Sequence, residues 1–140
     1  MAAISVTAAN VARTDGSVVV YNSGATITAG MGVYVDANGA VQIGTNATSA
    51  GSGVGSQNVG IALNTASSGQ PCSVLRDGSF NPGGTAAVGK VYVLGTAGGI
   101  IPVDDIAGTE YVTVLGVGIT ASSIKLGITV SGVAAAGAVS

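Results

Sequence analysis

The stretch Val33-Tyr34-Val35-Asp36-Ala37-Asn38-Gly39-Ala40-Val41-Gln42-Ile43 decides the fold class. Two β-branched, apolar runs flank an Asn-Gly pair, and both residues of that pair tolerate positive φ. This pattern predicts a β-hairpin with a tight turn of the primed type. The surrounding composition agrees. Of 140 residues, 44 are Val, Ile or Thr, whereas Leu, Glu, Lys, Arg, Gln and Met together number 15. β-Branched side chains suit a pleated surface, and the straight-chain residues are those that lose little rotamer freedom in a helix. A helical bundle or coiled coil is thereby excluded. At 47% apolar content and net charge −2 the chain is also unlike a disordered one.

Outward from the hairpin, Ser17-Val18-Val19-Val20-Tyr21 reads as a strand stopped by Asn22-Ser23-Gly24. Residues 1–16 read as an N-terminal arm ending in a turn at Asp15-Gly16, and residues 17–140 as a single β domain. Thr45 to Gln57 is Gly/Ser-rich and reads as a surface loop. Val59-Gly60-Ile61-Ala62-Leu63 and Cys72-Ser73-Val74-Leu75-Arg76 flank a turn-rich segment and predict a second, longer-looped hairpin. At most a short helix is expected, near Asp104-Asp105-Ile106.

The second half echoes the first. Val33-Tyr34-Val35 recurs as Val91-Tyr92-Val93, and Val59-Gly60-Ile61 as Val117-Gly118-Ile119, both 58 residues on. Val74 to Gly78 matches Ile128 to Gly132 at an offset of 54. The expectation is a duplicated β unit, about residues 27–78 and 86–132, whose halves close over a shared core in a small antiparallel β-barrel or β-sandwich. Gly60, Gly116, Gly118 and Gly127 interrupt the β runs. They mark bulges or bends of a small barrel, or places where another chain's backbone approaches closely.

Chemistry is sparse. The chain has no histidine, which removes Ser-His-Asp triads, Cys-His pairs and histidine metal sites. Four cations cannot form a basic stripe, so no nucleic-acid partner is expected. The N-terminus lacks the pattern of a signal peptide, and no apolar run is long enough for a membrane helix, so no membrane partner is expected and the chain reads as soluble and intracellular when made. Lone Cys72 reads as a small core residue, since no histidine activates it. Gly84 to Lys90 matches part of a phosphate-binding loop, but Val91 replaces the required hydroxyl and a strand follows where a helix is needed. Asp104, Asp105 and Glu110 read as a solvated loop rather than a calcium site or acid–base pair. Asn46-Ala47-Thr48 has glycosylation spacing without a secretory context. Catalytic residues, cofactors and metals are all expected to be none.

Tyr34 and Tyr92 occupy matching places in the sequence repeat, which predicts a structural role on one strand face. Tyr21 and Tyr111 are interface candidates, with core and interface equally open. In the arm, Ile4, Val6, Val11 and Arg13 are the candidates for contact with a partner surface, to whose edge an extended segment can add as a strand.

Ala25-Thr26-Ile27-Thr28-Ala29-Gly30 runs into the Val33 strand. Val59 to Leu63 is followed by a polar turn and Cys72-Ser73-Val74. Gly78-Ser79-Phe80-Asn81-Pro82 leads to Val88-Gly89-Lys90-Val91-Tyr92-Val93. In that order, over residues 17–132, these segments resemble the Gly/Ala/Val-rich decoration (cement) proteins of tailed-phage capsids. Met31 and Lys90 stand where the family pattern has an acidic residue. The resemblance implies a β-barrel or sandwich, assembled as a homotrimer, that binds the major capsid protein on the outer surface of the virion and reinforces it without catalysis. Such a protein is made in the host cytoplasm. The alternative is a receptor- or glycan-binding module of a phage fibre or adhesin, although only five aromatic residues are present to build such a site.

Overall fold

The computed structural model describes residue 4 and residues 11–47, 59–106 and 110–134. The protein is all-β. Its strands are β1 (Val11–Asp15), β2 (Val18–Ser23), β3 (Gly32–Val35), β4 (Ala40–Ile43), β5 (Val59–Ala62), β6 (Pro71–Leu75), β7 (Gly78–Pro82), β8 (Val91–Leu94), β9 (Ile100–Pro102), β10 (Tyr111–Thr120) and β11 (Ser123–Ala134). Short 3-10 turns at Thr96–Gly98 and Val103–Asp105 flank β9, and the second stands where a short helix is expected. The arm's Val6 and the loop beyond residue 47 lie outside the described residues.

Both expected hairpins form. β3 and β4 pair antiparallel with Val35 opposite Val41, and β5 and β6 with Ala62 opposite Val74. The first turn, however, is not of the primed type. Gly39 has φ 79°, but among the described non-glycine residues only Ala97 has positive φ, so Asn38 remains on the negative side. The Gly39 amide donates to the Asp36 carbonyl (3.0 Å) and the Asp36 amide to the Ala40 carbonyl (2.9 Å), which is a three-residue loop ending in a glycine bulge. Asp36 imposes this geometry. One carboxylate oxygen accepts from the amides of Asn38 (2.9 Å) and Ala40 (3.0 Å), and the other from Gln42 Nε2 (2.9 Å).

The two units repeat one scheme of strand pairing, in a register that differs from that of the sequence matches. β2, β4, β3, β5 and β6 form a closed barrel in that order. The second sheet runs β1-β7-β11-β10-β8-β9. Its last five strands repeat the barrel's pairings, so β7, β8, β9, β10 and β11 are the counterparts of β2, β3, β4, β5 and β6. Register is preserved as well. Val33 pairs with Gly60 and Ile43, and its counterpart Tyr92 pairs with Gly116 and Pro102. Val74 pairs with Val19, and its counterpart Ile124 pairs with Phe80.

The structural match of β3 to β8 therefore lies one residue beyond the 58-residue offset, which corrects the equivalence of Tyr34 and Tyr92. Tyr92 corresponds to Val33, and Tyr34 to Val93. Successive strand residues face opposite sides, so a one-residue slip exchanges the faces. Tyr92 is accordingly buried, whereas Tyr34 is only half-buried on the other side of its sheet. The other two matches are likewise out of step: Gly60 corresponds to Gly116 rather than Gly118, and β6 maps onto the beginning of β11.

Closure separates the two units. In the first, β2 and β4 pair in parallel, and the Gly24 amide donates to the Val41 carbonyl (2.8 Å). In the second, β7 pairs instead with β1, and the carbonyl of Ile100, counterpart of Val41, takes the Ile4 amide (3.0 Å). The N-terminal segment thus touches both edges that would otherwise meet. Part of the expected arm is hence an edge strand of its own domain, paired with β7 on the side that β2 turns to β4 in the first unit.

The barrel interior holds Ile27, Val33, Val35, Val41, Ala62, Ala66, Cys72 and Val74. The larger core combines Phe80, Tyr92, Leu94, Ile100, Leu115, Ile124 and Leu126 of the second unit with Val59, Ile61 and Leu75 from the outside of the barrel. The opened second unit therefore wraps its inner face around the first unit's outer wall. All four β5 residues are buried, which is why β5 shows no polar alternation. Leu94 sits over Gly32 and Gly44, where an added Cβ would lie 2.5 Å and 3.0 Å from its methyl carbons.

Candidate functional site

The sequence candidates are scattered by the fold. Ile4 packs against the larger core and helps to line a cleft of about 220 Å³ with Thr28, Met31, Ala97 and Gly98. Val11 and Arg13 lie on β1, opposite Pro82 and Phe80 of β7. Tyr21 is half-buried against the barrel core, and Tyr111 begins β10, where its amide donates to the Asn46 carbonyl (2.8 Å). Tyr21 and Tyr111 thus belong to different units.

The partial phosphate-loop match has no anion-binding geometry. The Ala86 amide donates to the Ala121 carbonyl, that of Ala87 to the Tyr92 hydroxyl, that of Gly89 to the Gly118 carbonyl, and that of Lys90 to the Ala87 carbonyl. These donors are committed to the fold, and β8 follows them. The Lys90 ammonium lies 3.2 Å from Asp104. The Asp104 backbone amide and this ammonium hold the Asp104 carboxyl below the usual carboxylate range. Among the described residues no group of three or more His, Cys, Asp or Glu side chains could hold a metal ion. Cys72 is fully buried, and burial pushes its thiol pKa up, away from the thiolate needed for reaction. Asn46 is 1% exposed and accepts from the Thr96 hydroxyl (3.2 Å), which places it in the interior rather than where a glycan could attach.

Two surface features remain. The first is β1, the terminal strand of its sheet, which among the described residues pairs with β7 alone. The second, invisible in the sequence, is the outer wall of the second unit. Val91 pairs with Val117 across β8 and β10, Ile119 lies two residues on along the same face, and Val103 continues β9 beside Val91. Val103, Val117 and Ile119 are 39%, 38% and 44% exposed. The β-branched run alone could not reveal this wall, since the same residues would suit a core. Only the position of the second unit, wrapped outside the first, turns them to the surface.

Among the described residues no helix is long and apolar enough to cross a membrane. No protein-family model and no curated protein matches the chain.

Proposed function

We propose that this protein is a structural virion component that binds the outer surface of a phage capsid and stabilises it by bridging neighbouring capsid subunits. The observation that carries the reading is positional. The three segments that resemble decoration proteins run from residues 25–30 into β3, over β5 and β6, and from β7 through the turn at residues 88–90 into β8. The resemblance thus follows a succession of turns and strands that runs through both units. The sparse charge and short side chains favour the same reading, because they suit close-packed contacts better than the charged, convergent sites of reactions.

In this reading the major capsid protein contributes an extended segment that adds to the open edge of β1, the strand bearing Val11 and Arg13, with Ile4 anchoring the segment's start. Main-chain hydrogen bonds then supply the affinity. Three such edges on a homotrimer engage together, because tethering raises the effective concentration for the second and third contacts. Binding carried by backbone groups depends only weakly on salt. The test is to mix the purified protein with undecorated capsids and measure co-sedimentation at low and high salt. Saturable pelleting under both conditions is expected. Absence of pelleting, or its loss on raising the salt, overturns the reading.

A further inference from the structure

We infer that the slot between β7 and β9 is a strand-binding site, and that it takes the N-terminal segment of a second copy of this chain as it takes the chain's own. The slot is a gap that the second unit does not fill with its own strands. In the first unit β2 runs on to pair with β4, Asn22 opposite Ala40 and Ser23 opposite Val41. Their counterparts, Gly83 and Gly84, lie beyond the end of β7. There the Asn81 side-chain oxygen accepts from the Gly83 amide (2.8 Å), and Gly83 takes φ 75°. The chain then turns away, until the Ala86 amide donates to the Ala121 carbonyl (2.8 Å). Among the described residues β7 and β9 accordingly do not pair.

The structure shows what occupies the gap. The Ile4 amide donates to the Ile100 carbonyl, as Gly24 does to the counterpart Val41, and Val11 to Asp15 pair with β7. This segment is not covalently continuous with the second unit. The whole first unit intervenes, and the segment joins it through Gly16 and Ser17 alone. Main-chain pairing seats the segment, and such pairing is indifferent to which copy supplies the strand. Gly16 is the hinge. It has φ 109°, and a Cβ there would overlap the Asp77 carbonyl oxygen, so the closed corner admits only glycine. Immediately beyond it, the Ser17 amide is fixed to Asp77 Oδ1 (2.7 Å). A hinge of two residues in a crowded corner, leading to a strand held by its edge, is an arrangement from which identical segments exchange between copies at low cost.

The inference concerns copies of this chain alone and its test uses no capsids, so it and the proposed function can fail separately. A photoreactive diazirine side chain replaces Ile4, which packs against the larger core and lines the cleft beside Ile100. It is placed in full-length chains with and without Gly16→Ala. Light and heavy isotope-labelled chains are refolded together, irradiated, and their linked peptides read by mass spectrometry, where mixed isotopes mark a linkage between copies. Linkage between copies is expected in both proteins. In Gly16→Ala the linkage within single chains should fall by about 10-fold or more, because the closed corner is obstructed by backbone. Linkage confined within single chains in Gly16→Ala overturns the inference. Should Gly16→Ala lose its β signal in circular dichroism, a chain lacking residues 2–15 replaces it, refolded with and without a free peptide of residues 1–15. The peptide is expected to restore the β signal or raise the melting temperature. The same peptide carrying Ala12→Pro and Arg13→Pro should not. Amides of alternate residues face the partner strand, so one of the two prolines removes a ladder donor. No rescue, or equal rescue by both peptides, overturns the inference.

Discussion

Gly116→Ala is the substitution through which the packing can be tested most directly. A Cβ at residue 116 would lie 2.1 Å from the Lys125 carbonyl oxygen, 2.9 Å from its carbon and 3.0 Å from Leu126 Cα. All three atoms are backbone of the paired strand β11, so no side chain can swing away. Relief requires β10 and β11 to separate by more than an ångström at a point where the register already shifts between Val114 and Gly116. Overpacking a close-packed site costs roughly 1–3 kcal/mol, and a backbone obstacle puts this case near the top, at about 3 kcal/mol. For a domain of this size that corresponds to a melting temperature lower by roughly 6–12 °C. The counterpart Gly60→Ala should behave alike, since its Cβ would lie 2.4 Å from the Leu75 carbonyl oxygen. Gly127→Ala is the control. It is an exposed β11 position with nothing within 4 Å of the added Cβ, and restricting the unfolded chain there stabilises by about 0.5 kcal/mol. Thermal and urea unfolding followed by circular dichroism measure all three. A Gly116→Ala protein within about 0.5 kcal/mol of wild type, or a Gly127→Ala protein destabilised as much, would refute the reasoning.

Tyr92→Phe leaves the part-buried Ala87 amide without its 2.8 Å acceptor and should cost about 1 kcal/mol, whereas Tyr34→Phe should leave the urea midpoint nearly unchanged. Asp36, held below its ordinary value of 3.8 by the Gln42 side chain and then the Ala40 amide, stabilises the folded state when ionised. That contribution is present above the unfolded value and lost as pH falls through the lower folded one. Melting temperatures taken down an acid series should therefore drop less steeply for Asp36→Asn, and identical slopes would show that the turn contributes nothing. Deleting residues 2–12 removes the Ile4 hydrogen bond and the beginning of β1, so the melting temperature should fall along with any capsid binding. An unchanged melting temperature would mean that β1 adds no stability to the second unit.

Much of the fold was legible locally. Asn38-Gly39 between β-branched runs announced a hairpin, but the Asp36 carboxylate decided its turn, because two amide bonds and a bond to Gln42 outweigh the preference of an Asn-Gly pair. Gly60 and Gly116 read as bulges or bends of a small barrel, with close approach by another chain as the alternative; the register does shift between Val114 and Gly116, and the backbone that crowds both glycines is the chain's own β6 and β11 rather than a partner's. Of the candidate residues, Val11 and Arg13 were visible as an apolar segment with one charge, but their place on an edge strand depends on β7, far along the chain.

What the sequence determined by itself was the class of structure and the existence of two related halves. Short-range chemistry governs both: β-branched side chains favour pleated strands, and glycine with small polar residues ends them. Tertiary structure alone decided the register of the repeat, the closure of one unit and opening of the other, and which valines face solvent. Those outcomes turn on which face of each strand finds an apolar partner, and a one-residue slip reverses that choice without altering the pattern from which it is read. Tyr92 and Tyr34 illustrate it, since the same Val-Tyr-Val triplet points one tyrosine into the core and leaves the other half-exposed on the opposite face.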